Sequence, residues 1–328
     1  MRLVQFLAFA AWAAPAAADF PGYVLVANQG DHTVTMIDAA ERRAVATIPE
    51  DAVTGHELVA SPDGRYAFVP VYGNSAVGMP GIDGRSILVV SLAQRAVVHT
   101  IDLGEGTRPH CIRYDQNRRR LYVTTELDRS VTVVDPFTWK ILGRIPTRQS
   151  QSHMLVITRD GRTGYTANVG PGTVSVLDLA GRAPAAVIRV ATHVQRIGLS
   201  SDERWVFTSD TENPRLAMID VAARKVSSWV DLPGKGYGVA AGPLGRGIMV
   251  AIPSKGQLAW VDLGARRVTR TLNLPGTPQE ILMPPRGMTA YVSCGASASV
   301  AIVDLVNWQV EAILPAGKRA DGLAWAPK

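Results

Sequence analysis

Three histidines in one repeating register are the residues of this chain with the clearest chemistry. His56, His110 and His153 each lie twelve residues before an aromatic residue that centres an extended run, namely Phe68, Tyr122 and Tyr165. The same step before Phe207, Met249 and Tyr291 finds Gln195, Tyr237 and Gln279, and one more interval reaches Asp321. The seven positions are 54, 43, 42, 42, 42 and 42 residues apart. A period near forty is the mark of one supersecondary unit copied along a chain. Seven residues far apart in sequence therefore hold one place in seven structural copies. Imidazoles from three neighbouring copies, if they converge, make a transition-metal site. Three histidines with an open fourth position hold zinc for water activation, and imidazole also suits copper, iron and nickel. The plainer reading is a wet channel mouth that must be polar, where histidine is one acceptable residue.

Charged residues follow the same register. Glu57, Arg196 and Glu280 stand one residue after His56, Gln195 and Gln279. Either glutamate can act as a base toward water or orient a ligating histidine. Arg196 suits an anionic group or a developing oxyanion. The alternative is that the carboxylates simply pair with Arg108, Arg113 or Arg196 at a solvated rim. Ends of the second extended runs add Asn28, Thr125 and Cys294 beside Tyr72, Glu126, Asn168 and Asp210. The candidate ligand contacts are thus Tyr72, Glu126, Asn168, Gln195, Asp210, Tyr237, Gln279 and Asp321. Cys294 reads as a small buried residue, with no histidine beside it in sequence.

The elements that must position these residues are short strands. Residues 110–145 divide into four runs of β-branched and aromatic residues, separated by turns at Asp115–Arg119, at Glu126–Arg129 and after Pro136. No stretch sustains a 3.6-residue period. The four-run unit recurs with third runs ending at Asp38, Ser91, Asp135, Asp178, Asp220, Asp262 and Asp304. Seven antiparallel four-stranded units predict an all-β, seven-bladed β-propeller. The unit at the amino end lacks a first strand, and Gly322–Pro327 is a first strand with no unit of its own. Pairing the two closes the ring and removes an open edge.

The Ser61-Pro62-Asp63-Gly64-Arg65 turn, the Tyr-Val second strands and third strands such as Val131-Thr132-Val133-Val134-Asp135 resemble the YVTN-type (YncE-like) propeller repeats. The resemblance spans residues 22–328 and implies the fold strongly and the chemistry hardly at all. Related propellers include lactonase-type enzymes, the haem d1 domain of nitrite reductase and nitrous oxide reductase. In such a blade the first strand is innermost, so the seven-membered register faces the central channel. One insertion breaks the period, Gly73–Arg85 beside His56, and reads as a glycine-rich lid.

Composition bounds the rest. Arg2, the apolar run Leu3–Trp12 and Ala16-Ala17-Ala18 read as a signal peptide over 1–18, cleaved after Ala18, which leaves one domain at 19–328 in the periplasm or outside the cell. Two cysteines, at different registers, are expected to be free thiols. Net charge is +6, but the 34 Lys and Arg are scattered through every repeat, which argues against nucleic acid. Phosphate-loop, dinucleotide and haem-attachment motifs are absent from the sequence. The chain reads as a monomeric exported propeller that binds a small molecule or a periplasmic protein, with a transition metal at its histidines. The alternatives are a metal- or histidine-assisted lactonase or esterase, and an accessory role in a periplasmic redox or cofactor pathway.

Overall fold

The computed structural model describes residues 21–328. They form seven four-stranded antiparallel sheets, each running from an inner first strand to an outer fourth strand. Blade 1 is the composite one: its inner strand is Ala320–Pro327, followed outward by Gly22–Asn28, Thr33–Asp38 and Arg43–Pro49. Gly22 pairs with Pro327 and Leu25 with Ala324, so the two ends of the domain close the ring as expected. Blades 2 to 7 then follow in chain order, with inner strands Val59–Ala60, Pro109–Asp115, Ser152–Ile157, Val194–Leu199, Val239–Ala241 and Pro278–Leu282. The signal-peptide reading of residues 1–18 lies outside the described residues. No helix among the described residues is long and apolar enough to cross a membrane.

Burial explains why the strands read so differently. Middle strands are sandwiched between neighbouring blades on both faces, so Ser130–Val134 is buried at every position. Outer strands have one face in solvent and alternate, as in Gln309–Pro315. The residues that centre the second strands, Phe68, Tyr122, Tyr165, Phe207, Met249 and Tyr291, are all at most 3 % exposed. They pack between blades rather than within them: Tyr122 and Tyr165 share one cluster with residues of blade 5. Both cysteines are free and buried, and burial pushes the thiols of Cys111 and Cys294 up to about 11 and about 12.

Two periodic devices shape each blade. The residue closing the third strand caps the next turn: Asp135 Oδ1 accepts the backbone N–H groups of Phe137 and Thr138, and Asp38, Asp178 and Asp304 do the same for their own turns. In all seven blades the third and fourth strands slip register at one equivalent place, such as Val133/Val134 or Ile302/Val303. A bulge increases strand twist, which lets every blade turn its outer strand away from the axis.

Ring closure through blade 1 is testable. Deleting residues 320–328 strips that blade of its inner strand and leaves the inner edge of Gly22–Asn28 unpaired. The truncated chain should lose its cooperative thermal transition and elute as aggregate in size-exclusion chromatography. An unchanged melting midpoint and a monomeric peak would show that closure is dispensable.

Candidate functional site

A second bulge, between inner and second strands, builds the site. It falls at Pro109/Ile112, Ser152/Met154, Val194/Ile197, Pro278/Ile281 and, in blade 1, opposite Val26/Asn28. These intervals contain His110, His153, Gln195 with Arg196, Gln279 with Glu280, and Asp321. Bulged residues escape the strict in–out alternation of a strand, so side chains are re-aimed toward the channel. Consecutive residues then serve different levels. His56 and Gln195 line a cavity at the channel mouth, while their successors Glu57 and Arg196 meet at the channel waist.

The waist is an ionic knot centred on Arg196, which is 1 % exposed. Its Nη1 donates to Glu57 Oε1 at 2.5 Å and to Glu280 Oε2 at 2.9 Å, and its Nη2 donates to Asp321 Oδ1 at 3.0 Å. The guanidinium lies 4.2 Å from the ring centre of Tyr237. Burial works against the charge of Arg196, yet Tyr237 and the three carboxylates hold its pKa well above the ordinary value. Burial, and then repulsion from Glu57, push Glu280 up to about 7. The expectation of catalytic Glu57, Glu280 and Arg196 at the histidines is therefore not met in position. The trio is turned inward on itself, because an arginine taken out of water needs carboxylate partners. Glu57 and Glu280 instead line a separate chamber of about 380 Å³ with Arg113 and several valine, isoleucine and leucine side chains.

Above the waist lies a cavity of about 300 Å³ whose wall contains His56, Tyr72, His110, His153, Gln195 and Tyr237. An adjoining lobe of about 310 Å³ shares Gln29, Tyr237 and Arg319 and is lined by Gln279 and Asp321. The three histidines do come together, but around a phenol rather than around a point. Tyr72 sits 4.8 Å from His56, 4.9 Å from His110 and 5.6 Å from His153, measured between ring centres. His110 stacks on His153 at 3.5 Å and 27°, and His56 meets His110 edge-on at 5.5 Å. Among the described residues no group of three or more His, Cys, Asp or Glu side chains is placed to hold a metal. The residues in this arrangement do not fit zinc, copper, iron or nickel bound by all three imidazoles.

The electrostatics disfavour charge on two of the rings. Burial, followed by the neighbouring His153, lowers His56 to about 3. Burial also holds His110 well below the ordinary imidazole value, with His153 and His56 adding to the effect. Glu126 takes the opposite course. Burial raises its pKa, but His153, the Tyr72 hydroxyl and Arg108 outweigh that and hold it below the usual carboxylate value. Tyr72 donates to Glu126 Oε2 at 2.7 Å, and His153 Nδ1 faces the same oxygen at 3.5 Å. Burial and that carboxylate push the Tyr72 hydroxyl far up.

The insertion 73–85 lies against this cluster, with Asn74, Ser75, Ala76 and Val77 in the cavity wall. Arg108, which the sequence reading treated only as a rim charge, anchors it. Its guanidinium donates to Ser75 Oγ at 2.8 Å, to the carbonyls of Ala76 and Met79, and pairs with Asp83 at 3.1 Å. It also lies 4.4 Å from the Tyr72 ring centre. Gln29, His32, Thr54 and Arg319 also line the cavity and were missed by the sequence reading. Two expected ligand contacts are committed elsewhere. Asn168 accepts from Ser152 and Thr166 and donates to Thr173 and Ser175, so each polar atom of its buried amide is bonded. Asp210 is taken up by its own turn and by Arg215.

Among solved structures, the chain is similar to Kuenenia stuttgartiensis hydrazine synthase, with a TM-score of 0.71 and 18 % sequence identity over 84 % of this chain and 91 % of that one. It is also similar to the dihydro-heme d1 dehydrogenase NirN in complex with DHE, with a TM-score of 0.64 and 16 % identity. That match covers 92 % of this chain and 65 % of the NirN chain. At such identities the likeness is one of fold. No family model and no curated protein matches the sequence.

Two outcomes follow from the waist. Arg196→Met leaves three carboxylates without their cation and should destabilise the fold by about 3–5 kcal/mol, read from the urea midpoint; a shift within error would remove the knot from the stability account. Glu280→Gln tests the linkage. A carboxyl whose folded pKa of about 7 exceeds the ordinary 4.5 favours the folded state most at low pH, and loses that contribution as pH rises through about 7. The melting temperature of Glu280→Gln should therefore gain on the wild type between these two values and run parallel above them.

Proposed function

We propose that this chain is an exported binding propeller that holds a small polar molecule in the cavity at its channel mouth. One observation carries the reading. His110 and His153 are 1 % and 3 % exposed, and in each it is Nδ1 that is buried without a hydrogen-bond partner. Both residues line the cavity. Burying two imidazoles with a ring nitrogen left unpartnered is expensive, and a ligand bonded to the rings in the cavity gives the arrangement a use. Concave sites with a few convergent polar groups are the usual form of small-molecule pockets, and about 300 Å³ stands at their lower size limit. Location in the periplasm or outside the cell rests on the leader reading of residues 1–18, and the YVTN-type likeness fits a propeller that binds without turnover.

A metal held by all three histidines has less support than an organic ligand, because His110 and His153 stack. Ester or lactone hydrolysis as first framed has less as well, since its bases lie in the waist. A second reading keeps the link to a redox or cofactor pathway. It is favoured by fold likeness to a hydrazine synthase and to a dihydro-heme d1 dehydrogenase, and it makes the ligand a cofactor, a precursor or a redox partner's substrate.

The test is a thermal-shift screen of polar metabolites, lactones, tetrapyrroles and divalent metals, run on the wild type and on His153→Gln and Tyr72→Phe. A ligand that raises the melting temperature of the wild type and loses at least tenfold in affinity in His153→Gln is the expected result. Ligands that stabilise all three proteins equally, or no ligand at all, would overturn the assignment of the cavity.

A further inference from the structure

We propose that Glu126 and His153 form the proton-accepting pair of the mouth cavity, with Glu126 fixing the imidazole so that Nδ1 carries the proton and the Nε2 lone pair faces the ligand. The inference rests on the reading of the cavity as a ligand site and deepens it by naming the ligand chemistry. His153 Nδ1 lies 3.5 Å from Glu126 Oε2, and no other partner reaches it among the described residues. The Tyr72 hydroxyl already donates its proton to that oxygen at 2.7 Å, so it has none to offer the imidazole. A lone pair on Nδ1 would face a carboxylate across an interior of low dielectric and be repelled. A proton on Nδ1 is attracted. The hydrogen environment of one ring nitrogen decides the state of the other, so Nε2 becomes an acceptor.

The surroundings hold the pair in place. Gly78 N–H reaches Glu126 Oε1 at 3.4 Å from the insertion, and Arg108 backs the Tyr72 ring. His110, stacked on His153, is kept neutral by its burial. Glu57 and Glu280 are bound to Arg196 and are out of the contest. A site with a fixed Nε2 lone pair takes a ligand that presents a proton donor there: an ammonium, a hydroxyl or a heteroaromatic N–H. Where that donor is a hydroxyl or a bound water, the same geometry is that of a general base oriented by a carboxylate. His153 touches the ligand, and Glu126 is the positioning residue.

The test needs no known ligand. In the chain labelled with ¹⁵N-histidine, long-range proton–nitrogen correlation spectra at neutral pH distinguish protonated from bare ring nitrogens, and His153→Gln assigns the signals. The expected result is an Nδ1–H tautomer for His153 in the wild type and in Tyr72→Phe. In Glu126→Gln, whose amide can donate, the population should move toward Nε2–H, and Glu280→Gln should leave it unchanged. An Nε2–H tautomer in the wild type, or the same tautomer in Glu126→Gln, would overturn the pair. Methylammonium and acetate are the paired probes for ligand chemistry: methylammonium should shift the His153 Nε2 resonance, and a shift with acetate alone would overturn the donor assignment. A failed ligand screen with the Nδ1–H tautomer present removes the ligand reading and keeps the pair. Screen hits with the Nε2–H tautomer do the reverse.

Discussion

Arg196 is the side chain on which the channel is organised. It stands in the inner strand of blade 5 and bonds to Glu57 of blade 2, Glu280 of blade 7 and Asp321 of blade 1, while Tyr237 of blade 6 covers it. One guanidinium thus ties blades on opposite sides of the ring, including the composite blade that closes it. Such a knot is not cheap. Desolvating four charged groups costs several kcal/mol apiece, recovered only where geometry is good and the remaining hydrogen bonds are made. Its value lies in register. Each inner strand must present the right residue at the right height for Arg196 to be satisfied, which selects one arrangement of seven nearly equivalent blades.

The knot also divides the channel. Below it the walls are mainly valine, isoleucine and leucine, with Glu57, Glu280 and Arg113 at the charged end. Above it they are mainly imidazole, phenol and amide, with the guanidinium of Arg319. The division comes from a local feature, the bulge at the entry of the inner strands, which sends successive residues to different levels. Charge is concentrated at the waist and in the insertion contacts, with Arg319 in the upper wall. The ring-lined cavity above reads hydrogen-bonding pattern through its imidazoles, phenols and amides.

Around that cavity, positions are fixed in sequence from the outside inward. Arg108 holds the insertion and backs Tyr72. Tyr72 holds Glu126, and Glu126 faces His153. A network of this kind is only as good as its least satisfied member. The 3.5 Å approach of Glu126 to His153 is the longest polar contact in that chain of contacts. Ligand contact there, loop position and imidazole orientation are parts of one structure.

Much of this was already written in the chain. The period of forty-odd residues, the alternation of the outer strands, the aspartates that close third strands and the orphan strand at the carboxyl end dictated seven blades and their closure, because each reflects local backbone and burial rules. The same register brought His56, His110 and His153 to one mouth. What the order of residues did not contain was the partnering of side chains across the ring. Whether Glu57 faces a histidine or Arg196, whether imidazoles converge or stack, and which carboxylate sits behind His153 depend on contacts between blades up to 139 residues apart. Asn168 and Asp210 made the same point from the other side: polar, at the right height, and wholly used by their own turns and strands. Sequence periodicity places backbones. Only the packed ring decides where buried charges and hydrogen-bonding edges point, because a buried polar group goes to whichever partner geometry allows it to reach.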